Sequence, residues 1–202
     1  MAKNNMGIKT KNKILEAART LFNEKGIDNT GVDEIAEKAG ITKAMIYYHF
    51  DSKESIILQL VSMLLDNIMV ELRLEPGDNS TPVSMNDHVG KMMNMWRENK
   101  EIGLFIIMKG IKDEEIFSKI IKISMPFFEL LIADRNGHAE SKWLEKEDAE
   151  KLFKLILFNT LPMVLSAVLM DKFLLEFELP EETLKIAFQD EFVKVLYTIL
   201  DS

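Results

Sequence analysis

Apolar residues recur three and four positions apart along almost the whole chain, a period that admits helices and little else. In TKNKILEAARTLFNEKG the recurrence runs through Ile14, Leu15, Ala18, Leu21 and Phe22, and Gly26 stands where a C-cap belongs. VDEIAEKAG gives a second helix of about two turns, with Val32, Ile35, Ala36 and Ala39 on one face and Gly40 free to take positive φ. One residue later Thr42 can cap a third helix that ends near Phe50, and Asp51 or Ser52 can cap a fourth running to about Leu74. Beyond the turn-forming stretch EPGDNSTP, helices are expected at about Met85–Glu98, Ile102–Gly110, Asp113–Asp134, Lys146–Glu176 and Glu181–Asp201, with breaks at Asn99, Gly110, RNG (135–137) and Pro180. Pro162 should kink the eighth. No strand run and no internal repeat competes, so the expected fold is all-α with about nine helices.

Composition narrows the function. The chain has no cysteine, which removes disulfides and thiolate metal sites. The first residues, MAKNNMGIKTKNK, are basic and polar and lack the apolar core of a secretory signal. The greasiest run, Leu155 to Met170, carries Asn159, Thr160, Pro162 and Ser166 and reads as a buried helix rather than a membrane span. The cytoplasm is therefore the expected location. Nucleophile elbows, phosphate-binding loops, dinucleotide fingerprints and HExxH are absent, and His49, His88 and His138 are too scattered for a metal site or a triad. No enzyme, metal or cofactor is expected. The net charge of −8 hides an asymmetry: through Lys53 there are nine Lys and Arg against seven Asp and Glu, leaving 16 against 26 in the rest. A basic tip on an acidic body suits a protein that meets phosphate at one end.

Two short helices joined by a tight turn containing glycine, after a stabilising helix, match a helix-turn-helix. With Lys43 at 0°, about 100° per residue puts Tyr47 near 40°, Ala44 near 100° and Tyr48 near 140°, while Ile46 and Phe50 fall near 300° and 340°. One face of the third helix is core; the other carries a lysine and two phenols. Lys43 can reach a phosphate or a guanine edge, Ala44 a thymine methyl, and the tyrosine hydroxyls either kind of acceptor. His49 and Lys53 are placed to hold the backbone. Such a cluster also occurs as a half-buried aromatic patch, but the second helix of a helix-turn-helix with surplus lysines favours DNA.

Residues Thr10 to Lys53 resemble the DNA-binding region of TetR-family transcriptional regulators: ILEAARTLF, GIDNTGVDEIAEKAGI and IYYHFDSKE stand in that family's order and spacing. The resemblance implies that Thr42, Lys43, Ala44, Tyr47, Tyr48, His49 and Lys53 fall on operator-contacting positions. It implies a ligand-responsive repressor that binds a palindromic operator in double-stranded DNA as a homodimer. Residues 1–53 would form the DNA-binding domain and 54–202 the effector-binding and dimerisation domain. One departure is Gly31, where the family commonly caps the second helix with Ser or Thr; Thr30 is the candidate replacement.

The resemblance also gives a role to the Met- and aromatic-rich middle of the chain, which otherwise reads as core. An apolar or aromatic effector is expected among Met63, Met92, Trp96, Phe105, Met108, Phe127 and Phe128. Dimerisation is expected through the last two helices. The stripes assigned to it are Leu152, Ile156, Asn159, Met163, Ser166, Ala167 and Met170, and Leu184, Phe188, Phe192, Val195 and Ile199. The competing reading is a helical small-molecule carrier or sensor without DNA binding; the joint presence of Lys43, Tyr47, Tyr48, His49 and Lys53 speaks against it.

Overall fold

The computed structural model describes residues 2–71, 85–133 and 146–200. Its elements are α1 (Ala2–Lys25), α2 (Val32–Ala39), α3 (Lys43–His49), α4 (Lys53–Glu71), α5 (Met85–Glu98), α6 (Lys100–Lys112), α7 (Glu114–Ala133), α8 (Lys146–Leu155), a π turn (Ile156–Thr160), α9 (Leu161–Phe177) and α10 (Glu181–Leu200). Counting α8, the π turn and α9 as one rod, the described residues hold nine helices and no strand. The expected all-α architecture is the one observed. The loop expected at EPGDNSTP, the break at RNG and the last turn of the fourth helix lie outside the described residues.

The break expected at Gly110 falls at Asp113 instead, since α6 runs through the glycine to Lys112, and two further boundaries differ for physical reasons. Helix α1 begins at Ala2, a full two turns before Thr10; residues 2–9 are mostly polar and carry no apolar period that would announce a helix. In the rod, the disturbance expected at Pro162 takes the form of a π turn just before it. Proline has no N–H for the carbonyl four residues back, and its ring collides with that carbonyl. The chain widens instead, and the Leu161 N–H bonds to the Ile156 carbonyl, five residues back.

The chain packs as two compact units, Met1–Leu64 with Glu101–Ile123 and Leu65–Lys100 with Ser124–Ser202. Packing thus groups much of α4, all but the first residue of α6 and the first half of α7 with the N-terminal helices. The first unit buries Ile14, Ala18, Phe22, Ile35, Ile46, Ile56 and Ile57 almost completely. At about 1.5–3 kcal/mol for each large side chain removed from water, this cluster is what holds the short helices α2 and α3 in one arrangement with α1 and α4; α2 and α3 could not persist alone. In the second unit α9 packs chiefly on α5, and α10 on α5 and α8. Gly90 permits the closest approach there: a Cβ at that position would lie 2.6 Å from Gln189 Nε2. Arg97 of α5 ties the unit together by pairing with Asp171 at 2.7 Å and with Glu181.

The rod reverses one expectation. Leu152, Met163, Ala167 and Met170, assigned by spacing to the dimer face, are buried inside the subunit, and Ile156 and Ser166 are half-buried. On α10, Phe192 is buried, Leu184 and Phe188 are half-buried, and Val195 is exposed. Asn159 and Ile199 lie outside the described side chains. The exposed large apolar residues of the rod, among those described, are instead Phe153, Leu157, Phe158, Leu165, Leu169, Phe173, Leu175 and Phe177. A segment apolar on every side gives no angular contrast, so its period could not say which stripe turns inward. From Leu152 to Phe177 the rod is also long and apolar enough, by length and composition alone, to cross a membrane, with 29% of the most apolar window buried.

Gly40 closes α2 at φ +66° in a Schellman arrangement, its N–H on the Glu37 carbonyl and the Ile41 N–H on the Ala36 carbonyl, both at 3.0 Å. A Cβ at this position would meet nothing within 4 Å, so the cost of a side chain is backbone strain alone. Gly40→Ala is expected to lower stability by about 1–2 kcal/mol, and Gly40→Asn by less, as read from thermal unfolding midpoints. Equal midpoints for Gly40→Ala and the parent would contradict the turn geometry.

Candidate nucleic-acid interface

The turn delivers α3 with a defined rotation. Thr42, extended at φ −82°, accepts the Met45 N–H on its side-chain oxygen at 3.3 Å, fixing the helix start. At the other end the Phe50 N–H donates to the Ile46 carbonyl at 2.8 Å. Ile46 and Phe50 sink into the core at 1% and 6% exposure and act as the two nails that set the rotation. What remains outside is Thr42, Lys43, Ala44, Tyr47 at 49% and Tyr48 at 83%, with Met45 partly exposed and His49 half-buried. The Tyr48 and His49 rings meet edge to face with centroids 5.1 Å apart. A tyrosine that keeps most of its surface in water contributes nothing to the core, so Tyr48 is available to a partner.

Two of the candidate cations already have partners. Lys43 Nζ sits 2.9 Å from Asp33 Oδ2 on α2, and this carboxylate holds the ammonium above its ordinary pKa by hydrogen bonding and charge attraction. Both side chains are at least half exposed, and solvent and salt screen an exposed pair of this kind so that it adds little to stability. A nucleic-acid contact can therefore displace it. Lys53 points inward instead: its Nζ donates to the carbonyls of Ile27 at 2.9 Å and Thr30 at 3.0 Å. Neither partner was legible in sequence, because each lies on another element at a separation that no helical period links.

Helix α2 opens without a side-chain cap from Gly31. Glu34 compensates by accepting the Gly31 N–H at 2.8 Å and pairing with Lys25. Thr30, the candidate replacement, is buried at 1% and its hydroxyl donates to the Gly26 carbonyl at 2.8 Å; it stitches the turn together. The bond from Gly31, then Lys25, holds the Glu34 carboxyl below the usual carboxylate range. A depressed folded pKa means a contribution fully present above the ordinary value of 4.5 and lost as pH falls through the lower folded value. Glu34→Gln is accordingly expected to flatten the acid limb of the stability profile below about pH 4.5 relative to the parent, measured by denaturant unfolding at stepped pH. Parallel acid limbs would remove Glu34 from the cap.

The residues expected around an effector divide between the units. Met63, Phe105 and Met108 belong to the first, and Met92, Trp96, Phe127 and Phe128 to the second. Met63 and Met108 are exposed at 40% and 52%, whereas Met92, Trp96, Phe105, Phe127 and Phe128 are all buried to 8% or less. Phe127 and Phe128 meet edge to face at 5.4 Å. In the second unit a cleft lined by Met93, Asn94, Arg97, Ser166, Met170 and Lys185 among others holds about 10 Å³, the space of one water rather than a drug-sized ligand.

Comparison with known proteins bears on this head. Residues 14–60 match the family of bacterial regulatory proteins named tetR. Over 56 residues the chain is 54% identical to the biofilm operon icaADBC HTH-type negative transcriptional regulator IcaR of Staphylococcus aureus (strain Newman), a match covering 28% of this chain and 30% of that protein. The chain thus aligns with 30–37% of the length of the curated relatives it matches. Across nearly the whole chain the fold is that of Salmonella enterica GusR, with a TM-score of 0.64 and 18% identity over 96% of each chain. It is also that of the transcriptional regulator FadR from Bacillus subtilis in complex with stearoyl-CoA, with a TM-score of 0.59 and 15% identity over 91% of this chain and 96% of that one. With a helix-turn-helix whose second helix turns its phenols and lysine outward, the head of this chain, residues 14–60, is similar to the tetR family of bacterial regulatory proteins.

Proposed function

We propose that this protein is a ligand-responsive transcriptional repressor that binds a palindromic operator as a homodimer, in the cytoplasm of a bacterial cell. The observation that carries the reading is the split of α3: Ile46 and Phe50 are anchored in the core while Lys43, Ala44, Tyr47 and Tyr48 face outward. A seven-residue helix fits a major groove, and its outward set can touch base edges and phosphates. Thr42 and His49 flank that set at the helix ends. Negative regulation is supported by the name of the IcaR relative.

The remaining parts follow the same reading. The apolar residues left exposed on α9 support self-association, since a two-fold pair of rods would cover them, and a palindrome presents its half-sites about 34–36 Å apart, one DNA turn, to two reading helices. The buried set Met92, Trp96, Phe127 and Phe128 supports an apolar effector, with thioether and aromatic side chains that repack around it. FadR of Bacillus subtilis, in complex with stearoyl-CoA, shows the same fold holding a long apolar chain. Helix α4 runs from the turn beside the head at Lys53 to Glu71. A ligand acting on its far end can alter the attitude of its near end, for a coupling of about 1–3 kcal/mol.

The test is selection of bound duplexes from random sequence with the full chain, followed by titration across salt concentrations. A palindrome bound with steeply salt-dependent affinity supports the reading. Recovery of no preferred sequence, with weak binding to any duplex, would return the protein to the class of helical carriers.

A further inference from the structure

Lys53 stands at the first position of α4, where a lysine is well placed for a DNA phosphate, yet its ammonium is committed elsewhere. Its two acceptors, the carbonyls of Ile27 and Thr30, belong to the turn between α1 and α2. That turn is also held by bonds within α1, α2 and the turn itself. Gly26 leaves α1 at φ +85°, the Thr30 N–H donates to the Ile27 carbonyl at 3.2 Å, and the Thr30 hydroxyl donates to the Gly26 carbonyl. Lys53 adds a tie across 23 and 26 residues, from the start of α4 to the residue just before the Gly31 cap of α2.

An ammonium has three donors, and two are used on half-buried acceptors. Turning the group outward to a phosphate would strip both carbonyls of a charged donor, and charge-assisted bonds are about twice as strong as neutral ones. A solvated phosphate contact does not repay that loss, so the inward geometry is the one expected to persist on DNA. We propose that Lys53 is a positioning residue that clamps the first turn of α4 to the α1–α2 turn, rather than a counter-ion of the DNA backbone. The proposal rests on the reading of the head as a DNA binder and specifies how α4 is joined to it. Through these two bonds a displacement of the α4 start is delivered to α2, and through the Gly40 turn to α3.

The full chain carrying Lys53→Met, which keeps the length and apolar stem but has no donor and no charge, separates the alternatives. Operator affinity is measured over a range of salt, and amide exchange is followed at Thr30, Gly31 and Ile35. The clamp predicts a loss of about tenfold at every salt concentration, a salt slope equal to the parent's, and faster exchange in the turn. A phosphate contact predicts a slope lower by about 0.9, a loss that fades at high salt, and unchanged exchange; a slope reduced by that amount overturns the proposal whatever the exchange shows. Lys53→Gln guards against a variant too unstable to measure, since an uncharged amide with two N–H donors remains. The clamp then predicts an affinity between those of parent and Lys53→Met at the parent's slope, whereas a phosphate contact predicts the reduced slope again. If the parent itself shows no salt-dependent duplex binding, the DNA reading falls while the exchange experiment still decides the clamp, and unchanged exchange at the turn refutes it.

Discussion

Alanine at both Lys43 and Tyr48 is expected to lower affinity for the selected operator by about 30-fold to 10⁴-fold at near-physiological salt, taking 1–3 kcal/mol for each side chain that reaches a base. Tyr48 sets the larger share. At 83% exposure it has little to lose in the free protein, so its truncation removes contacts made only on DNA. Lys43 starts from its pair with Asp33, and the net effect of its removal is the DNA contact less the worth of an exposed ion pair. That subtraction places Lys43→Ala toward the lower end of the range. Because Ile46 and Phe50 rather than these two residues hold α3 in place, the double variant should unfold at the parent's midpoint, which separates lost recognition from lost structure. Intact operator affinity in a folded double variant would mean that α3 is not the reading helix.

How much of this was legible in the sequence depended on distance along the chain. The α2–turn–α3 unit could be read to the residue because its signals are local: Gly40 for a positive φ, Thr42 for a cap three residues before the N–H it accepts, Ile46 and Phe50 for the buried edge. Ser52 proved to be the better of the two proposed caps for α4, exchanging backbone-to-hydroxyl bonds with Ser55 at 3.2 Å each way. Contacts between elements were another matter. Lys53 and Lys43 look alike in sequence, each a lysine at the start of a helix in a basic head, yet one points into a turn and the other lies over an acid on the surface. Lys11 likewise reads as part of a solvated basic end, but it bonds Gln59 at 2.8 Å and lies 5.5 Å from the centroid of the Phe50 ring, linking α1 to α4 and to the end of α3. Spacing fixes which residues share a face; it does not fix what that face meets.

The same limit governs the rod, where the consequence can be measured. Leu165, Leu169 and Phe173 follow one another at intervals of four on α9 and stay 40%, 42% and 49% exposed, and Phe173 lies 5.7 Å from Phe177, ring to ring. Their opposites Met163, Val164, Ala167 and Met170 are consumed by packing within the subunit. If two chains pair through the exposed stripe, Leu165→Glu with Leu169→Glu would bury four unpaired carboxylates at one two-fold interface, a cost that abolishes association. In the single subunit the same side chains gain water, so secondary structure and the Met163-side core should survive. A lone head retains one half-site, and losing the tether between two heads is worth about 10²–10⁴ in affinity. The double variant is therefore expected to run as a monomer at micromolar concentration and to bind the palindrome at least a hundredfold more weakly, while its affinity for an isolated half-site equals the parent's. The control is the stripe first marked by spacing: Met163→Glu should unfold the second unit instead of dissociating a dimer, because it places an unpaired charge at a position with 0% exposure. A parent chain that sediments as a monomer, or a Leu165/Leu169 variant that remains a dimer, would show that association does not use this face.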